Sequence, residues 1–362
     1  MRRSTQKECK TKRTPNGCNE MIAIDFFCGA GGLTRGLLDA GIKVTLGIDV
    51  DDRCRQTYET NNNPSRFLSA DVRRLQAKDV RRTIADVDSN DLLLAACAPC
   101  QPFAQLNRVG DLDGEATLLG QFARFVRELE PRCVFVENVP GLARVRGSST
   151  HRRFRKLLSR MGYGYCEGTL DAKAYGVPQT RWRFVMIAIR GIEPTLPPPT
   201  HGPKLLPYET VENAIKGFPP IDAGVTHPIV PNHRAAALSE QNAARLRHTP
   251  SDGGDRRAWP EHLWLKCHSK GYQGHTDSYG RMYWQRPAPT LTCRCHSISN
   301  GRYGHPEQNR AVSLREAARL QSFGNDYVFH GTALSHVASQ IGNAVPVRLA
   351  EAVGRHIQEL SS

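Results

Sequence analysis

A cysteine held directly behind a proline is the residue in this chain best suited to act as a nucleophile. Cys100 sits in Ala98-Pro99-Cys100-Gln101-Pro102-Phe103, just after the apolar run Leu92-Leu93-Leu94-Ala95-Ala96. That order puts the thiol in a loop at the carboxyl end of a buried strand, with Pro99 restricting the backbone before it. The thiolate is the reactive form, and a nearby cation or helix N-terminus favours it. Upstream, Asp25-Phe26-Phe27-Cys28-Gly29-Ala30-Gly31-Gly32 joins a strand-like run to a helical one. Its glycines let the backbone approach a ligand closely, which reads as a nucleotide-cofactor loop or, on its own, as an ordinary glycine turn. Downstream, Glu137-Asn138-Val139 offers a carboxyl group for proton transfer. Together the three segments suggest a thiolate working on a base beside a bound cofactor.

The elements around these segments alternate. Strands are expected at Met21 to Ile24, Val44 to Ile48, Phe67-Leu68, Asp91 to Ala96, Cys133 to Val136 and Phe184 to Ile189. Helical spacing covers Leu33 to Ala40, Asp52 to Thr60, Leu118 to Leu129 and Phe154 to Met161. This rhythm predicts an α/β fold, a doubly wound, Rossmann-like parallel sheet. Such sheets bind ligands at the carboxyl ends of their strands, where Asp25 to Gly32, Asp49, Asp71, Cys100 and Glu137 all fall. Asp49 stands where ribose hydroxyls are bound, about twenty positions after the loop. Asp71, after the third strand, suits an adenine amino group, although either aspartate alone also fits a helix cap or a surface charge. From about residue 191 the texture changes to prolines and irregular runs, a second and smaller domain. Ser313 with Glu316 three residues on signals a capped helix to Phe323, and Val347 to Leu360 reads as a last helix.

The chain has 362 residues and a net charge of +14, an excess that favours a polyanionic partner. Residues 1–20 form a basic tail expected to be disordered. There is neither a secretory h-region nor a membrane-length apolar run, so the expected location is the cytoplasm, in association with the nucleoid, without membrane contact. The eleven cysteines are odd in number and irregular in spacing, which suits reduced thiols. Cys97, Cys100, Cys293 and Cys295 offer a conceivable zinc set, but Cys100 reads better as the nucleophile, and no metal is expected.

In the order of its motifs the chain resembles the C5-cytosine DNA methyltransferases. Asp25-x-Phe27-x-Gly29-x-Gly31-Gly32 is similar to the family's S-adenosylmethionine loop, Pro99-Cys100-Gln101 to its nucleophile motif, and Glu137-Asn138-Val139 to its glutamate motif. Gln179-x-Arg181-x-Arg183, the run Arg315 to Gln321 and the closing Gln340-Ile341-Gly342-Asn343-Ala344-Val345-Pro346 follow in the family's order. The resemblance covers about residues 21–190 and 285–355. It implies a catalytic domain over 21–190 completed by 338–362, and a target-recognition domain over 191–337. It also implies that Cys100 adds to C6 of a flipped cytosine, so that C5 takes the methyl group of S-adenosylmethionine and S-adenosylhomocysteine is left. Glu137 would serve N3; Arg181 would bind the base oxygen or hold Cys100 and Glu137, with Arg183 in support. Phe27, Gly29, Gly31, Gly32, Asn343 and Val345 would join Asp25, Asp49 and Asp71 around the cofactor. Two departures are visible: Ala104 replaces a usual serine, and Ala96-Cys97-Ala98 stands where glycine is commoner.

The partner implied is double-stranded DNA. Gln101, Arg108, Arg256, Arg257, Lys266, Tyr279 and Arg281 are the expected DNA contacts, because arginine and lysine hold phosphates or read guanine and aromatics pack on the backbone. Length suggests a stand-alone monomer of the bacterial or phage restriction–modification kind, either solitary or accompanied by a cognate endonuclease. Two alternatives remain at this stage: a tRNA cytosine-5 methyltransferase on the same fold, and a catalytically silent DNA-binding relative.

Overall fold

The computed structural model describes residues 20–98, 116–141, 149–265 and 277–362. Pro99, Cys100, Gln101, Ala104, Arg108 and Lys266 therefore lie outside the described residues, as does most of the basic tail. The first part of the chain builds one seven-stranded sheet from β1 (Ile22–Phe26), β2 (Lys43–Asp49), β3 (Arg66–Ser69), β4 (Leu92–Cys97), β5 (Cys133–Asn138), β6 (Tyr163–Asp171) and β7 (Trp182–Arg190), in the order β3-β2-β1-β4-β5-β7-β6. The helices between them are α1 (Gly32–Asp39), α2 (Arg55–Asn61), α3 (Ala77–Thr83), α4 (Ala116–Leu129) and α5 (Ser149–Arg160). Order reverses across β1 and β4, so the crevice of this open sheet opens above those two strands.

The five strands from β3 to β5 run parallel, as expected, and β4 and β5 are buried almost throughout, as strands covered on both faces must be. The parallel pattern ends at β6 and β7, which pair antiparallel with each other, β7 also running antiparallel to β5. The segment from Ala172 to Arg181 is too short for the crossover that a parallel return needs, so β7 must double back beside β6. β6 itself has no counterpart among the expected strands. Its sequence YGYCEGTLD carries two glycines and mixes buried with half-exposed positions, so no clear alternation marks it.

Both faces of the sheet are covered. Phe26, Phe122, Phe125, Phe154 and Phe184 fill the layer under α4 and α5. Leu33, Leu37, Phe135, Ile187, Val353 and Ile357 fill the layer under α1 and the last helix, α10 (Val347–Ser361). The α1–α10 approach is set by Gly36. A Cβ there would sit 2.4 Å from the Val347 carbonyl oxygen and 2.5 Å from the Ala350 Cβ. Between β7 and α10 in the sequence lies the irregular region, with short helices α6 (Val211–Ile215) and α7 (Glu240–Arg247) and then α8 (Leu314–Leu320) and α9 (Leu334–Asn343). α8 carries the expected capping box: the Ser313 amide donates to Glu316 at 2.7 Å, and the Glu316 amide donates to the Ser313 hydroxyl at 3.1 Å. A small separate core of Leu246, Trp259, Leu263, Tyr279 and Ile298 holds the middle of this region. No described helix is long and apolar enough to cross a membrane.

Asp25 lies near the end of β1 with its side chain fully buried. Thr34 of α1 donates to Oδ2 at 2.6 Å, and the Thr34 hydroxyl lies 3.0 Å from the Tyr58 phenol, while Oδ1 has no partner among the described residues. Burial pushes this carboxyl up to about 7, with a smaller push from Asp49. A carboxyl raised in the fold binds its proton more tightly there than in the unfolded chain, so its contribution to stability is present at low pH and is lost as pH rises from about 4 towards 7. Asp25→Asn should therefore gain stability relative to the parent between pH 4 and 8, as urea midpoints across that range will read; parallel curves would contradict it. Gly36→Ala should destabilise by ~1–3 kcal/mol, the usual cost of overpacking, measured as a lowered denaturant midpoint with an unchanged slope.

Candidate active site

The carboxyl ends of the strands border a cleft of about 420 Å³. Its nucleotide side is built by the β1–α1 loop. The Phe27 and Cys28 amides donate to the Ile48 carbonyl at 2.7 and 3.1 Å, which lashes the loop to the end of β2. Asp49 then takes the Gly29 amide on Oδ2 at 2.8 Å and the Asp51 amide on Oδ1 at 2.9 Å. Burial raises its carboxyl above the usual range. Gly29 has φ +48 and open space where a Cβ would stand, so the backbone is left uncovered at the cleft. Gly31 and Gly32 are glycines for a different reason. A Cβ on Gly31 would meet the Asn62 amide at 2.4 Å, and one on Gly32 would meet the Val345 carbonyl at 2.4 Å.

Of the residues expected around a cofactor, Phe27, Gly29, Asp49, Asn343 and Val345 line the cleft, whereas Asp25, Gly31, Gly32 and Asp71 do not. Asp25 and the two later glycines support the loop from behind. Asp71 follows β3 in a turn, and its carboxylate is taken by Arg73, whose Nε lies 2.9 Å from Oδ1 and 3.0 Å from Oδ2. That hydrogen bonding holds Asp71 below its ordinary range.

At the other side of the cleft stands Glu137, near the end of β5 and nearly inaccessible to solvent. Arg183 Nε lies 2.8 Å from Oε1, and the Cys97 thiol donates to Oε2 at 2.8 Å. Register makes this contact: Cys97 and Glu137 are opposite one another in the parallel β4–β5 pair. Burial first, and Glu137 next, push the Cys97 thiol well up, so it stays protonated and can donate. Sequence reasoning gives Cys97 only the place of strand neighbour to the nucleophile; the register of two adjacent strand ends is the signal that points further. Asn138 donates to the Ala98 carbonyl at 3.2 Å, which ties the end of β5 to the last described residue before Pro99-Cys100.

The two arginines divide their work differently from the expectation. Arg183, not Arg181, holds Glu137. Arg181 is fully enclosed: Nη1 donates to the Leu291 carbonyl at 2.7 Å and Nη2 to the Gly342 carbonyl at 2.8 Å. Burial, then Arg183, lowers its guanidinium to about 9, which leaves it charged at neutral pH. Its Nε has no partner among the described residues. Gln179 continues the same seam, donating to the Leu320 carbonyl at 3.1 Å and accepting the Leu291 amide at 2.9 Å. α9 closes the cleft with His336, Ser339, Gln340 and Asn343, a helical face that motif reading catches only at its end. The Asn343 side-chain oxygen accepts the Cys293 thiol at 2.9 Å. Gly342 is obligatory there, since a Cβ would stand 2.4 Å from the Thr292 carbonyl.

Several expected DNA contacts are instead internal. Arg281 is buried and donates to the carbonyls of Leu246, Thr249, His305 and Gln308 at 2.6–3.0 Å, so its donors are consumed in holding loops together. Tyr279 packs its ring on Trp259, with centroids 5.3 Å apart, inside the small core. Arg256 is also buried. Arg257 alone of the described set is well exposed, and it pairs with Asp255 at 2.7 Å.

The chain is similar to known proteins over most of its length. The model of the C-5 cytosine-specific DNA methylase family matches residues 21–359. The chain is 36% identical over 339 residues to the Type II methylase M.HgiDII of Herpetosiphon aurantiacus, covering 92% of this chain and 94% of that one. It is 31% identical over 349 residues to the Type II methyltransferase M1.HphI of Haemophilus parahaemolyticus, covering 95% and 88%. In fold it matches a prophage-encoded protein from E. coli, described as a putative DNA modification methyltransferase, with a TM-score of 0.75 at 23% identity over 94% of this chain and 99% of that one. Matched from the first strand of its sheet to its last helix, the chain belongs to the C-5 cytosine-specific DNA methylase family.

Proposed function

We propose that the cleft binds S-adenosylmethionine and a cytosine flipped out of duplex DNA, and that the chain methylates C5 of that base within one recognition sequence. The observation that carries this is the fixing of Glu137 between Arg183 and Cys97 at the wall of a cleft whose opposite wall is the open loop at Gly29. The volume, the uncovered backbone at Gly29 and the acidic Asp49 fit a nucleoside-bearing cofactor, with Phe27, Asn343 and Val345 as the remaining contacts. When bound, S-adenosylmethionine supplies the methyl group that C5 takes up.

The rest is work for the protein's own groups. The Cys100 thiolate forms a bond to C6, which breaks the C5–C6 double bond and makes C5 nucleophilic. Glu137, oriented by its two partners, holds or protonates N3 as negative charge builds on the ring. Arg183 keeps that carboxyl in place and neutralises the pocket, while Arg181 fixes the backbone around it. Loss of the C5 proton then expels the Cys100 thiolate and restores the ring. The base must leave the stack for these groups to reach it. The names borne by the relatives support a modification methylase of a restriction system, with a cognate endonuclease as its companion. The chain would act as a monomer.

Cys100→Ala should abolish methyl transfer while DNA binding persists, and duplexes carrying 5-fluorocytosine should trap the parent enzyme covalently, because fluorine cannot leave C5 as a proton does. Normal turnover in Cys100→Ala would sink the mechanism. Bisulfite sequencing of DNA from cells expressing the chain will give the target site. Glu137→Gln should slow single-turnover methylation by roughly 10²–10⁴-fold with little change in the KM for S-adenosylmethionine. Arg183→Ala should approach the same loss, and a rate within about twofold of the parent would remove Arg183 from its assigned place.

A further inference from the structure

Helix α5 is strongly basic, and the site described above has no use for it. Its sequence STHRRFRKLLSR contains five arginines and lysines, one histidine and no acid. Phe154 and Leu158 turn inward to the core. His151 and Arg155 are satisfied by one carboxylate, Glu167 of β6, at 3.0 and 3.1 Å. The others, Arg152, Arg153, Lys156 and Arg160, are exposed, and none forms an ion pair among the described residues. Their spacing puts them along one outward stripe about 12 Å long.

The stripe begins at the active-site end of the sheet. The His151 ring lies 5.6 Å from that of Phe184, which pairs with Asn138 at the end of β5, whereas Arg155 lies further back over the Tyr165 ring. Trp182 shares the face of Phe184 by the two-residue strand period and stands one step nearer the cleft, with 51% of its surface exposed. An uncovered tryptophan thus extends the face that carries the basic stripe at its inner end. The charge is also placed against local preference. Basic side chains at the amino end of a helix oppose its dipole, and the first turn contains no acid to relieve them. A bound polyanion offsets both the dipole term and the mutual repulsion.

We propose that Arg152, Arg153 and Lys156, with Trp182 at their inner end, bind the phosphate backbone of duplex DNA flanking the recognition sequence, a contact made by the catalytic domain alone. The proposal rests on the DNA-methylating reading. The span from Arg152 to Lys156 covers about 6 Å of helix axis, and the three long cationic side chains meet two or three phosphates of one strand. Such contacts add affinity and salt dependence without sequence information.

The test uses the full chain and two duplexes carrying the mapped site, one ending a few base pairs beyond it and one extending a full helical turn further on each side. Combined Arg152→Ala, Arg153→Ala and Lys156→Ala should raise the KM for the long duplex severalfold, leave it unchanged for the short one, and leave kcat unchanged on both. The slope of log binding constant against log salt on the long duplex should shrink by about 2–3, near 0.9 for each phosphate no longer neutralised. The charge-keeping pair Arg152→Lys and Arg153→Lys should retain the parental slope. An unchanged slope in the alanine variant, equal weakening on both duplexes, or a reduced slope in the lysine variant would each overturn the proposal. Parent enzyme that binds both duplexes but methylates neither would instead defeat the methylating reading, and the length and salt dependence would still be measurable by binding.

Discussion

A buried guanidinium organises this molecule. Arg181 lies at the entrance to β7 and gives its hydrogens to carbonyls from two distant stretches, Leu291 and the Gly342–Ala344 turn. Burying a charge is costly unless its donors are met, so the arrangement holds only if the irregular region, the end of α9 and the sheet meet in one geometry. Two residues on, the strand period brings Arg183 to the same side, and its Nε meets Glu137. Two residues before, Gln179 reaches Leu320 and Gln321. One extended stretch therefore joins α8, the end of α9 and the carboxyl of Glu137, and its alternate residues have separate tasks.

The same stretch shows what can and cannot be read from sequence. Motif order singles out Gln179, Arg181 and Arg183, and apolar runs locate β1, β2, β4 and β5, because strands buried on both faces need little besides continuous apolar sequence. Ser313 and Glu316 announce α8 because a capping box is local chemistry. The division between Arg181 and Arg183 is not legible, since it depends on which carbonyls arrive from residues 291 and 342. β6 escapes notice because Gly164 and Gly168 serve close packing: a Cβ on Gly164 would strike the Ile192 carbonyl at 2.2 Å. The closing motif is visible without the helix that carries it, so the cleft-lining face of α9 at His336 and Ser339 stays hidden.

Charge is the least transparent signal. The arginines of the irregular region suggest a DNA-reading surface, yet many of them serve the interior. Arg281 binds four carbonyls, Arg315 donates to Pro231, Gly324 and Tyr327, and Arg310 forms a two-point pair with Glu316 at 2.7 Å. The cause is structural. A region with few regular elements leaves carbonyls without ladder partners, and a guanidinium carries five donors on one rigid plane. Arginine there takes the part that strand pairing has in the sheet.

This redistributes the meaning of the +14 charge. Positive residues consumed by internal carbonyls contribute to the field but offer no hydrogen bonds to a phosphate. Cations that are both exposed and unpaired are the ones able to exchange counterions for DNA, and α5 gathers several of them in a row that starts at the active-site end of the sheet. Reading and gripping are then separable. Sequence discrimination can stay with loops that change readily, while α5 rests on β6 through Glu167 and on the core through Phe154, which keeps the grip fixed relative to Glu137 whatever base sequence the loops come to prefer.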